Sequence, residues 1–173
     1  MSVRYRVQLN GGYTVDDGAG LVASARYGDT GMPSSVDDYT DGTGTGQADQ
    51  IYRVNFSLAA TTGASYDLKG GGGEIDVIKA ALAMVQVRKV EIYISTTQAS
   101  GVTVRFGPQN TTNAWQGPFQ DVTANFYVEV GRDLKISSPF AGTWTVGATT
   151  KILRLYNPNA ATVAGVMIVT GRK

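Results

Sequence analysis

The chain has 173 residues, enough for one domain with a sizeable core and an appendage. Hydrophobic residues make up 42% and charged residues 17%, which argues against global disorder; 15 Lys and Arg against 14 Asp and Glu leave a net charge of +1, no electrostatic case for nucleic acid or an anionic membrane. There is no Cys and no His, hence no disulfide, no thiolate chemistry, and neither the commonest general base nor the commonest metal ligand.

In chain order, residues 3–9 alternate cleanly. Val3, Tyr5, Val7 and Leu9 share one face and Arg4, Arg6 and Gln8 the other, the pattern of a half-buried strand whose apolar face is a candidate interface. Asn10, Gly11 and Gly12 signal a turn, and residues 21–27 allow a second short strand. From Gly28 to Asp49 only Met32, Val36, Tyr39 and Ala48 interrupt a run of Gly, Asp, Ser and Thr. Such a segment buries too little apolar surface to offset the entropy of ordering it, and reads as a linker or an extended surface segment. Residues 1–40 are therefore expected to form an extended N-terminal arm and linker, with a body at 41–173.

The body opens on a strand, where Tyr52, Val54, Phe56 and Leu58 alternate with Arg53, Asn55 and Ser57. A strand at 64–69 and a flexible tip at Gly70 to Gly73 follow. Over 74–84, Ile75, Ile78, Ala81 and Leu82 share a helical face, which favours one short helix over a strand. Residues 85–95 read as strand with a phase change. Val85 and Val87 lie on one parity and Val90, Ile92 and Ile94 on the other, so a bulge near Arg88 and Lys89, or a late helix end, is needed. Further strands are expected at 101–106, 125–130, 133–137, 143–147, 151–156 and 163–170, punctuated by Gly, Pro and Asn. This spacing predicts an all-β fold, a β-sandwich or jelly roll.

Catalytic chemistry finds little support. Without His or Cys, a nucleophilic Ser needs a Lys base, and no spacing provides one. Asp37 and Asp38 would point to opposite faces of a strand, and Glu74 and Asp76 follow four glycines at an exposed tip. A calcium loop starting at Asp37 meets Tyr39 at its third position and Ala48 at its twelfth, so the EF-hand pattern fails; Asp38, Asp41 and Asp49 leave only carboxylate density. Gly70 to Gly73 lead into Glu74 rather than a Gly-Lys-Ser/Thr, so they are no phosphate cradle. No catalytic, cofactor or metal residue is assigned, and an enzyme is not expected. Among the aromatics, Trp115 lies between Ala114 and Gln116 in a loop, which makes it the best exposed candidate for an interface or a sugar platform. No apolar run approaches the roughly 20 residues of a membrane span, and MSVRYRVQLN has no apolar signal core, so folding in a cytoplasm is expected.

Four stretches carry a resemblance: WQGPFQD at 115–121, GTWTV at 142–146, KILR at 151–154 leading into Asn157, Pro158 and Asn159, and the closing apolar run from Val163 to Val169. Together they resemble small β-rich structural proteins of tailed bacteriophages and prophages. The similarity is clearest over 115–173, extends back to Asp41, and excludes the arm. It implies a virion component, a capsid decoration or cement protein that bridges capsomers of a major capsid protein, with homotrimers favoured; it carries over no functional residues. The alternative is a tail or fibre component that binds carbohydrate. On the capsid reading the arm would lend its strand at residues 3–9 to a neighbour's exposed sheet edge.

Overall fold

The computed structural model describes backbone and pairing for residues 4–8, 12–16, 21–25 and 36–40, and the full chain at 47–95, 97–109, 111–119, 121–138 and 144–173. Arg4–Gln8 (β1), Gly12–Asp16 (β2), Leu21–Ala25 (β3) and Val36–Thr40 (β4) form an antiparallel sheet in the order β3-β2-β1-β4. Tyr5 of β1 lies opposite Val15 of β2 on one side and Tyr39 of β4 on the other. Both edges of β1 are thus occupied within its own chain, which corrects the expectation that it pairs with a neighbour. The end of the segment read as a linker or an extended surface segment is the strand β4, while 28–35 lie outside the described residues. Pairing with β1 supplies backbone hydrogen bonds in place of apolar content, and Val36, Tyr39 and Thr40 carry the β-preference. Of the candidate interface residues in the arm, Tyr5 and Val7 sit in β1, while Val3 and Leu9 lie outside the described residues.

The sandwich is built from Gln50–Leu58 (β5), Gly63–Asp67 (β6), Gln86–Ile94 (β7), Thr103–Gly107 (β8), Phe126–Glu129 (β9), Asp133–Ser137 (β10), Ile152–Tyr156 (β11) and Val163–Arg172 (β12). Its sheets run β10-β7-β12-β5 and β6-β11-β8-β9, with every adjacent pair antiparallel. The all-β expectation is met, and the described residues contain no helix. Alternation aims one parity of each strand inward. Phe56 and Leu58 of β5, Ile92 and Ile94 of β7, and Met167 and Val169 of β12 meet Val104, Phe106, Leu153 and Leu155 of the facing sheet in one core. Gly165 is required within it, because a Cβ there would sit 2.5 Å from the Phe56 ring.

The phase change in β7 is a bulge. Thr170 pairs with Lys89 and Gly171 with Val87, leaving Arg88 as the extra residue. Two expectations fail. Residues 74–84 form an irregular turn with one bridge between Ile75 and Ala81, not a helix. Asp76 Oδ1 accepts the N–H groups of Ile78 (3.0 Å) and Ala80 (2.9 Å), and Lys79 takes φ +69°. That local side-chain turn outcompetes the helical ladder. Of the strand expected at 143–147, the described residues 144–147 form none either. Trp144 has φ +47°, which breaks an extended path, and Thr145 makes only an isolated bridge to Gln86.

Two polar clasps close the sandwich. Fully buried Asn157 donates its amide to the carbonyls of Leu58 (2.9 Å), Ala59 (2.9 Å) and Ala161 (2.8 Å), and its Oδ1 accepts from the Asn159 backbone at 2.9 Å. Asn159 Nδ2 reaches the carbonyl of Thr103 at 2.6 Å, so this turn ties the β11–β12 connection to both sheets. At another corner the Lys173 N–H donates to Asp49 Oδ1 at 2.7 Å, next to the pairing of Gln50 with Gly171.

Candidate functional site

The outer face of the β6-β11-β8-β9 sheet carries the most developed surface feature. Val104 and Phe106 point into the core, so Arg105 between them points out; Leu153 and Leu155 do the same for Arg154. The order β11-β8 makes these strands neighbours, and the register sets Arg154 opposite Gly107 and Tyr156 opposite Arg105. Gly107 contributes no side chain, which leaves a polar cleft of about 440 Å³ beside the two arginines.

Three residues form a row across the strands. Arg105 is flanked in register by Tyr127 of β9 and Tyr156 of β11, and its guanidinium carbon lies 5.6 Å and 5.5 Å from their ring centroids. Two aromatic faces attract and orient the cation. Arg154 lies over Gly63 of β6, where a Cβ would come within 3.1 Å of its Nε, and its Nη1 donates to Thr111 Oγ1 at 3.2 Å. Gln109 pins the floor by donating to the carbonyls of Arg105 (3.2 Å) and Arg154 (3.4 Å). Asn125 and Thr123 form the opposite wall, with Asn125 Nδ2 donating to the Thr123 carbonyl at 2.7 Å.

The lining holds two guanidinium groups and no carboxylate. The nearby acids are engaged elsewhere. Asp121 Oδ1 accepts the Thr123 N–H (2.6 Å) and hydroxyl (2.7 Å), bonds that hold its exposed carboxyl below its ordinary pKa. Glu129 pairs with Arg132 at 3.2 Å and Asp67 with Lys151 at 2.7 Å. The Nε atoms of Arg105 and Arg154 and Oδ1 of Asn125 are buried without a hydrogen-bond partner among the described residues.

The residues singled out from the sequence lie elsewhere. Trp115 is only 1% exposed, which corrects its selection as a surface aromatic. Its backbone N–H donates to the Ile152 carbonyl at 2.8 Å, and Gly117, having no Cβ, lets the indole fold against its own chain. Phe119 and Trp144 then meet it edge-on, at 6.5 Å and 6.2 Å between centroids. Glu74 is a turn residue, accepting N–H groups of Asp67 and Gly72 at 2.9 Å each, and Asp76 holds the next turn. Asp37 and Asp38 fall in β4, Asp41 lies outside the described residues, and Asp49 holds Lys173. The cleft residues escaped selection because 49 positions separate Arg105 from Arg154 in the sequence. The usable signal was local: each is a cation on the outward parity of an alternating strand.

No protein-family model matches the chain, and no curated protein matches it. Fold and site together define an antiparallel β-sandwich protein with a cationic, aromatic-flanked cleft on one outer face.

Proposed function

We propose that this chain is a structural protein of a tailed-bacteriophage virion, a capsid decoration or cement protein that bridges capsomers of the major capsid protein. The observation that best supports this reading is the division of one chain into two sheet systems. β1 to β4 pair only with each other, and no ladder among the described residues joins them to the sandwich. Two separate β-units give a chain two surfaces with which to hold neighbours, and identical copies then add weak contacts by multivalency. The action is passive: trimers at capsid symmetry points clamp adjacent capsomers. Quantitative mass spectrometry of purified virions tests it, with copies on the order of hundreds expected over the shell. A handful of copies, or labelling confined to the tail or one vertex, overturns it.

The arginine cleft favours a second reading, a tail or fibre component that contacts carbohydrate. A concave site with convergent polar groups suits a small ligand better than a flat protein surface.

A further inference from the structure

Two guanidinium groups share the cleft, and the described chain supplies neither with a carboxylate. Like charges held together and partly desolvated are costly without a counter-ion, so the arrangement suits an anion from outside. Both side chains line the cleft, and their Nε atoms are buried without a hydrogen-bond partner among the described residues. Arginine's planar fork matches a carboxylate in two-point geometry, and Arg105 is already oriented between Tyr127 and Tyr156.

A second need stands beside the first. Asn125 Oδ1 is a buried acceptor without a donor, and its amide orientation is fixed by the bond from Nδ2 to the Thr123 carbonyl. A simple anion such as phosphate would answer the arginines and leave this oxygen unsatisfied. A neutral sugar would answer the oxygen and leave the arginines unsatisfied. A ligand carrying both a carboxylate and hydroxyl donors answers both. The cleft's size lies within the roughly 300–1,000 Å³ common for small-molecule sites, and its lining is polar throughout apart from ring and aliphatic edges.

We propose that this cleft binds a carboxylate-bearing sugar, a uronic-acid unit of an acidic polysaccharide. Arg105 and Arg154 hold the carboxylate, and Asn125 Oδ1 accepts from a ring hydroxyl. The inference rests on the reading of the cleft as a carbohydrate site and not on where the chain sits in a particle.

The test is calorimetric titration of the full chain with oligogalacturonate, glucose, inorganic phosphate and an aspartate-rich peptide. Oligogalacturonate should bind, more weakly as salt rises, because exposed charge pairs are screened. Glucose should not bind, and phosphate and the peptide should bind at least about tenfold more weakly, a gap of roughly 1.4 kcal/mol. Arg105→Gln should cut uronate affinity by about tenfold or more, as the loss of one charged contact implies. Asn125→Asp keeps both arginines, supplies an internal carboxylate and should abolish binding, so the proposal stays testable if the arginine variant folds poorly. Absence of uronate binding overturns the proposal. So does equal binding of phosphate or the peptide, or binding indifferent to both variants. None of these results bears on copy number in the virion, so failure here and failure of the shell reading are separate outcomes.

Discussion

The two sheets of the sandwich turn opposite kinds of outer face away from their shared core. On the β10-β7-β12-β5 sheet, Lys89 and Glu91 lie on the parity opposite Val90 and Ile92, both side chains are almost fully buried, and they pair with each other at 2.5 Å. On the other sheet, Arg105 and Arg154 line an open cleft with no acid in its wall. A cation enclosed by the protein brings its counter-ion in the same chain, two residues along the same strand. A cation facing a cleft can leave that role to a ligand. Charge on an outward strand position is therefore no guide to function until its partner is known.

The largest expected effect tests the enclosed face. Glu91→Ala leaves the Lys89 ammonium buried without this carboxylate and should cost about 3–5 kcal/mol in denaturant unfolding. Replacing both residues, Lys89→Met with Glu91→Leu, should recover most of that loss, since a buried pair is often matched by apolar side chains of similar volume. A double variant as unstable as Glu91→Ala would break the comparison.

The next effect reads the inner face shared by both sheets. Burial pushes the Tyr66 phenol up to about 12 and pushes Tyr52, 6.1 Å away across the core, higher still, with the Glu74 charge adding to burial. Above pH 10 the unfolded chain releases these protons while the folded one retains them, so stability falls as pH rises from 10. Tyr66 alone should remove about 2–3 kcal/mol by pH 12, and Tyr66→Phe should flatten that part of the profile.

A smaller effect tests the open face. Tyr127, 61% exposed, covers one side of Arg105, so Tyr127→Ala should cost only about 0.5–1 kcal/mol of stability. Its larger consequence should be weaker uronate binding, through loss of the orientation of Arg105. A stability loss as large as that of Glu91→Ala would make this row structural rather than a binding surface.

The smallest effect concerns Asp76, a buried carboxylate held by backbone N–H groups rather than by a cation in contact. Burial raises its pKa despite those bonds, with the Lys173 charge working the other way. The folded state thus keeps a proton that the unfolded state gives up, and stability falls as pH rises from the unfolded value through the folded one. Asp76→Asn retains the Oδ1 acceptor, removes the buried charge, and should leave an unfolding profile flatter on the acid side.

What the sequence revealed follows from the range of the forces involved. Alternation is local, so β5, β8, β11 and β12 were legible, and the parity switch in β7 located its bulge at Arg88. The turn at 74–84 was not, because one Asp side chain reorganised a segment whose apolar spacing also suits a helix. Trp115 was misread because its burial depends on Gly117 and on a partner, Trp144, in a distant loop. The cleft needed sheet order, which pairs β8 with β11 only once the sandwich has closed. In the N-terminal sheet, the edge strand β4 draws on backbone pairing with β1 that a polar composition conceals.

The clasp between Asp49 and Lys173 has a mechanical consequence. The chain enters and leaves the sandwich at one corner, through strands β5 and β12, which are antiparallel neighbours paired from Gln50 with Gly171 to Leu58 with Val163. A pull applied at those two points loads their hydrogen bonds one after another, like a zipper, instead of all at once in shear. The fold should therefore peel open at low force from this corner while resisting tension applied through its other loops.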